Sequence, residues 1–292
     1  MKNIAGVIIS FLYLSTLIFA QTDLTSGINL YEKKQFSKAK EVLEKYLDKN
    51  EKSAKANFYL GMTYFKLGDL DDAIDYCEEA TELEDDNPQF QIEYGKLLAE
   101  EIKDASFFRQ PFIAGNMKDA FLRAVELDPE NLEAHECLAS FYIYAPGIAG
   151  GDFDLAREQI EFIRKRDEKR GNLKLIHLYS TQGDVEKTNA QYDLIEKKYG
   201  IDTSNYYLYE NWGNFLLKNE MVDSAIDKFK KQVELAPNES RPHFCLGEAF
   251  REKGMLKEAL AEYQRALELN PTNDYPVAII QEIQEELGTA NK

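Results

Sequence analysis

Three histidines, His135, His177 and His243, and three cysteines, Cys77, Cys137 and Cys245, are the residues of this 292-residue chain best suited to ligate a metal or to pair as nucleophile and base. The histidines lie far apart, with no ligand spacing among them, so no metal site is expected. The cysteines are odd in number, and each sits where a helix would bury a small apolar side chain. The run Pro146-Gly147-Ile148-Ala149-Gly150-Gly151-Asp152 suggests a phosphate cradle before a helix. However, the lysine and Ser/Thr of a P-loop are missing, and Asp152 would repel an anion; its carboxylate suits a helix N-cap instead. Carboxylates are so abundant, 52 in all, that no acidic pair is specific, and no nucleophile, base and orienting group can be aligned. These residues predict neither an enzyme nor a cofactor, and point to binding through apolar and aromatic side chains.

The elements that would position such side chains are legible from Arg241 to Pro271. Leu246, Gly247 and Phe250 mark one face of a first helix, Gly254 permits a turn, and Ala259, Tyr263 and Ala266 mark a second helix that Pro271 ends. Recurrence makes the pattern significant. Gly27, Gly61 and Gly95 are spaced by 34 residues, as are Gly213 and Gly247, and an alanine follows four of these glycines at position 39, 73, 225 or 259. Between Gly95 and Gly213 the period holds only if residues are inserted. One surplus lies at 102–116, where it shifts the second helix of its repeat by ten residues, and another lies at 144–152.

The pattern resembles the tetratricopeptide repeat, a helix-turn-helix unit of 34 residues. The resemblance implies an all-α, right-handed α-solenoid of about seven repeats, over residues 20–53, 54–87, 88–131, 132–168, 169–205, 206–239 and 240–273. A capping helix over 274–287 would close the apolar end of a repeat domain spanning 21–292. The run from Tyr144 to Asp152 is similar to a loop of bacterial exported tetratricopeptide proteins of unassigned function. Ahead of the repeats, Lys2, an apolar stretch from Ile4 to Phe19 and the small Ala20 form a signal-peptide pattern over 1–20. The chain is therefore expected to be exported, periplasmic or secreted, with no membrane span after cleavage near Gln21.

In this family the first helix of each pair lines a concave groove. The places that match are Tyr31 in the first repeat, Lys55, Phe58, Met62, Phe65 and Lys66 in the second, Lys96 in the third, Tyr144 in the fourth, and Tyr207 and Asn214 in the sixth. Aromatic anchors among lysines suit a protein or peptide with apolar side chains and some acidic character. The clamp by which some relatives hold a chaperone's terminal carboxylate is absent, because Leu24 and Ile28 stand in its first-repeat places. A net charge of −17 opposes nucleic-acid binding. A second reading places a small-molecule pocket between the 102–116 and 144–152 insertions, and self-association stays open.

Overall fold

The computed structural model describes residues 24–290. The leader pattern of residues 1–20 lies outside the described residues. Every regular element in the described range is helical. In chain order these are α1 over 24–32, α2 (Phe36–Leu47), α3 (Ala54–Leu67), α4 (Leu70–Leu83), α5 (Pro88–Asp104), α6 (Gln110–Leu127) and α7 (Leu132–Tyr144). After a 3₁₀ turn (Gly147–Ala149) come α8 (Phe153–Arg166), α9 (Glu168–Gln182), α10 (Val185–Tyr199), α11 (Tyr207–Lys218), α12 (Val222–Leu235), α13 (Ser240–Glu252), α14 (Leu256–Leu269) and α15 (Tyr275–Ala290). Consecutive helices pair into seven hairpins, and α15 packs on α14.

Local chemistry starts these helices. Ser53, Asp69, Asn131, Asp167 and Asp184 each accept a bond from a backbone N–H two or three residues on, satisfying donors that the first helical turn leaves open. Pro88 opens α5, where its missing N–H costs nothing. Packing then explains the period. A Cβ at Gly213 would lie 2.5 Å from the Phe229 ring, so only glycine lets α11 approach α12 this closely. Gly61 meets Cys77 in the same way, which accounts for that buried cysteine. Ala39, Ala73, Ala225 and Ala259 are all fully buried.

The insertion in the third hairpin keeps this contact but changes its spacing. Gly95 faces Phe121, whereas its counterparts Gly61 and Gly213 face residues 77 and 229, so the register slips by the expected ten residues. The surplus is absorbed by long helices, 17 residues in α5 and 18 in α6, and by the turn between them.

The chain divides into two compact units between Arg166 and Asp167. In the first, neighbouring hairpins are fastened by a tyrosine on a first helix that donates to a glutamate on the preceding second helix. Tyr64 reaches Glu44 and Tyr94 reaches Glu78, both at 2.8 Å. In the second unit Tyr209 reaches Glu196 at the same distance. That unit has a continuous apolar core from Ile176 to Ile283, to which α15 contributes Ile279 and Ile283. No helix among the described residues is long and apolar enough to cross a membrane.

Candidate partner-binding surface

The first helices of the first unit are joined to one another by their side chains. The Tyr31 ring meets Tyr59 edge-on at 5.5 Å, Tyr59 adjoins Phe58 at 5.4 Å, and Phe58 stacks on Phe90 of α5 at 4.4 Å. Lys96 of α5 donates to Glu93 at 2.9 Å and to Glu133 of α7 at 2.5 Å. A layer of first helices therefore runs α1, α3, α5, α7, and the expected groove residues fall along it with different exposures.

Phe58 and Met62 are buried, at 8% and 7% exposure, and the Phe58 ring is spent on Phe90 of α5. Tyr31 and Phe65 are half-buried. Lys55 and Lys66 stand exposed, the Lys66 ammonium 5.2 Å from the Phe65 ring centre, within cation–π range. Burial pulls the Lys96 ammonium down, but its bonds to Glu133 and Glu93 outweigh this and push it up to about 12. Lys96 thus spends its charge inside the chain. Tyr144 is exposed at the end of α7. Tyr207 and Asn214 are exposed on α11, in the second unit.

Several of the groups with chemical potential have structural surroundings. Burial raises the Cys77 and Cys245 thiols to about 12, far from the thiolate a nucleophile needs. His135 and His243 take equivalent places in α7 and α13. Each presents Nε2, at 3.0 Å, to the carbonyl of a proline six residues earlier, Pro129 or Pro237. Asn57 does the same in α3, bonding the Glu51 carbonyl. The recurring place is therefore a tie between a first helix and the turn before it, a role the residue types alone conceal. In the glycine-rich loop a Cβ at Gly151 would lie 1.8 Å from the Ala145 carbonyl oxygen, so the glycine serves a tight chain crossing. Asp152 caps α8, as expected, accepting from Asp154 at 2.8 Å and Leu155 at 3.1 Å, and it fills the place an anion would take.

Tyr59 and Phe90 complete the aromatic run and carried no separate signal in the sequence. Tyr59 adjoins Phe58, which could have prompted a search for a second ring.

The geometry defines a protein of stacked helical hairpins with a side-chain-rich first-helix face. Tetratricopeptide repeat models match residues 24–88 and 240–273. Tetratricopeptide repeat protein 37 of Xenopus laevis is 26% identical over 171 residues, covering 58% of this chain and 11% of that protein. Superkiller protein 3 of Schizosaccharomyces pombe is 25% identical over 281 residues, covering 91% of this chain and 19% of its own length. The chain thus spans a fifth or less of these relatives. Among solved structures, a tetratricopeptide repeat protein from Parabacteroides merdae superposes with a TM-score of 0.67 at 14% identity, covering 91% of this chain and 98% of that one. The two family matches together span 99 of the 292 residues, so the chain carries tetratricopeptide repeats and has the fold of a protein built from them.

Proposed function

We propose that the chain is a non-catalytic scaffold that holds a protein or peptide on the first-helix face of its first unit, outside the cytoplasm. The observation that carries this reading is that half-buried Tyr31 and Phe65 and exposed Lys55 and Lys66 lie on α1 and α3, which the Tyr31–Tyr59 contact joins. Rings of that kind supply apolar anchorage at low entropic cost, and lysines beside them favour an acidic segment. Lys96 contributes to the frame of the site and not to its charge. Buried Phe58 and Met62 support the surface from beneath. Export rests on the composition of residues 1–20.

The test is affinity capture from a native envelope extract by the parent chain beside a Phe65→Ala, Lys66→Ala variant. These side chains are at or near the surface, so the variant is expected to keep its circular dichroism spectrum and melting temperature. A protein held by the parent and lost by the variant supports the reading. Equal retention by both, or retention by neither, removes it.

A further inference from the structure

A second feature of the first unit has no part in that face. The 102–116 insertion presents Phe107 and Phe108 of the α5–α6 turn and Phe112 of the first turn of α6 to solvent, at 78%, 83% and 77% exposure, and Ile148 of the 3₁₀ turn is 98% exposed. Phe107 and Phe108 meet edge-on at 5.8 Å. The 3₁₀ turn packs on α6, where a Cβ at Gly150 would lie 3.6 Å from the Lys118 side chain, so both insertions border α6. Ile113, the neighbour of Phe112 in the chain, is buried, so the first turn of α6 is anchored while the three rings stand outward.

We propose that this patch is the interface through which two copies of the chain form a two-fold symmetric dimer. The first argument is area. Aromatic side chains bury about 150–250 Å² each, so three rings at this exposure offer roughly 500 Å² per copy. Two copies face to face would remove about 1,000 Å² from water, the least that a specific interface requires. The largest apolar patch of an ordinary monomer is about 300–600 Å² and often has a binding role, and this one lies in that range. The second argument is charge. Copies that each carry −17 repel, and they repel least where carboxylates are absent. Residues 105–118, which carry the three rings, contain no Asp or Glu. A two-fold axis through the patch sets this stretch against its own copy. An anionic lipid surface suits the patch less well. The Arg109 guanidinium is engaged by Glu101 at 2.6 Å, and the rest of the chain is acidic.

The test is sedimentation velocity of the full chain over a concentration series, beside a Phe107→Ser, Phe108→Ser, Phe112→Ser variant. Because the three rings are exposed, the variant should match the parent in circular dichroism and melting temperature. The expected result is a concentration-dependent dimer in the parent whose dissociation constant rises roughly thirtyfold or more in the variant, as for loss of central aromatic anchors. A parent that stays monomeric throughout overturns the proposal. So does association that survives the three substitutions, since it would arise from the leader or from another face. A monomer that instead pellets with phosphatidylcholine–phosphatidylglycerol vesicles, and does so only with its phenylalanines, assigns the patch to lipid and also overturns it.

Discussion

Each compact unit adds to its tyrosine–glutamate ties one cluster around a shared ion, and the two clusters differ in sign. In the first, one cation, Lys96, is shared by two carboxylates, Glu93 and Glu133, and links α5 to α7. In the second, one anion, Glu196 on α10, accepts from Tyr209 of α11 and from Lys228 and Lys231 of α12. Lys228 also lies over the Trp212 ring at 3.3 Å, and Trp212 stacks on Tyr192 at 5.1 Å while donating to Asn189 at 2.9 Å. The arrangements differ in depth as well as sign: the Lys96 side chain is 38% exposed and the Glu196 side chain 20%. A shared ion contributes to stability in proportion to how far water is excluded from it, so the second cluster should matter more than the first.

The largest effect is expected from Glu196→Ala. It leaves Lys228, only 15% exposed, without its paired carboxylate, with Asp193 acting on it only at longer range, and frees the Tyr209 hydroxyl. The cost should be about 3 kcal/mol, read as a lowered midpoint in thermal or urea unfolding. A loss no larger than that of an exposed pair would show that the aromatic stack, and not the ion cluster, holds α10 to α12.

Acid titration sharpens the point. Burial raises the Glu196 pKa, but the bonds from Lys231, Tyr209 and Lys228 outweigh it and bring the carboxyl from 4.5 to about 2. A pKa depressed on folding gives stability that is complete above the unfolded value and is lost as pH falls through the folded one. The parent should therefore lose roughly 2 kcal/mol between pH 4.5 and 2 on account of this group. Glu196→Gln should flatten that part of the stability curve. An unchanged acid limb would remove Glu196 from its cause.

Lys96→Met should cost less, about 0.5–1 kcal/mol, because its cluster is open to water and the methionine stem still covers the helix surface. Lys96 titrates at the opposite end of the scale. Its raised pKa gives stability that is present below 10.5 and lost as pH rises toward about 12. A Lys96 variant as damaging as Glu196→Ala would abolish the distinction between the clusters.

The smallest effect concerns the recurring polar tie. Asn57 already makes the bond that His243 makes, so His243→Asn should cost about 1 kcal/mol, while His243→Leu, which leaves the Pro237 carbonyl unpaired, should cost about 2 kcal/mol. Equal costs would mean that the ring's volume or its Nδ1 contact with Glu262, lost in both variants, and not the bond to Pro237, is what α13 requires.

Much of the fold is legible in the residues. The glycine and alanine period locates close helix contacts, since only small side chains permit them, and it anticipates the slip that sets Gly95 against Phe121. Asp152 reads as a cap because a carboxylate before an apolar periodic run has one local use. The candidate surface is harder to read. Phe58 and Phe65 stand seven residues apart, two helical turns, yet Phe58 is buried on Phe90 and Phe65 is partly open. Lys66 and Lys96 carry the same charge, but only Lys96 is taken up by glutamates on two helices. In each case the deciding atom lies on another helix.

The sequence by itself determined the helical class, the pairing of helices into hairpins, the placement of the insertions and the acid excess. All of these follow from short-range rules of spacing, capping and charge that act within about one turn-linked pair of helices. Only the tertiary structure decided which groove-place residues reach solvent, which lysine keeps an unspent charge, and that the phenylalanines of the 102–116 insertion stand outward. Burial and ion pairing depend on which neighbouring surface arrives at a given side chain, and that surface comes from a different repeat.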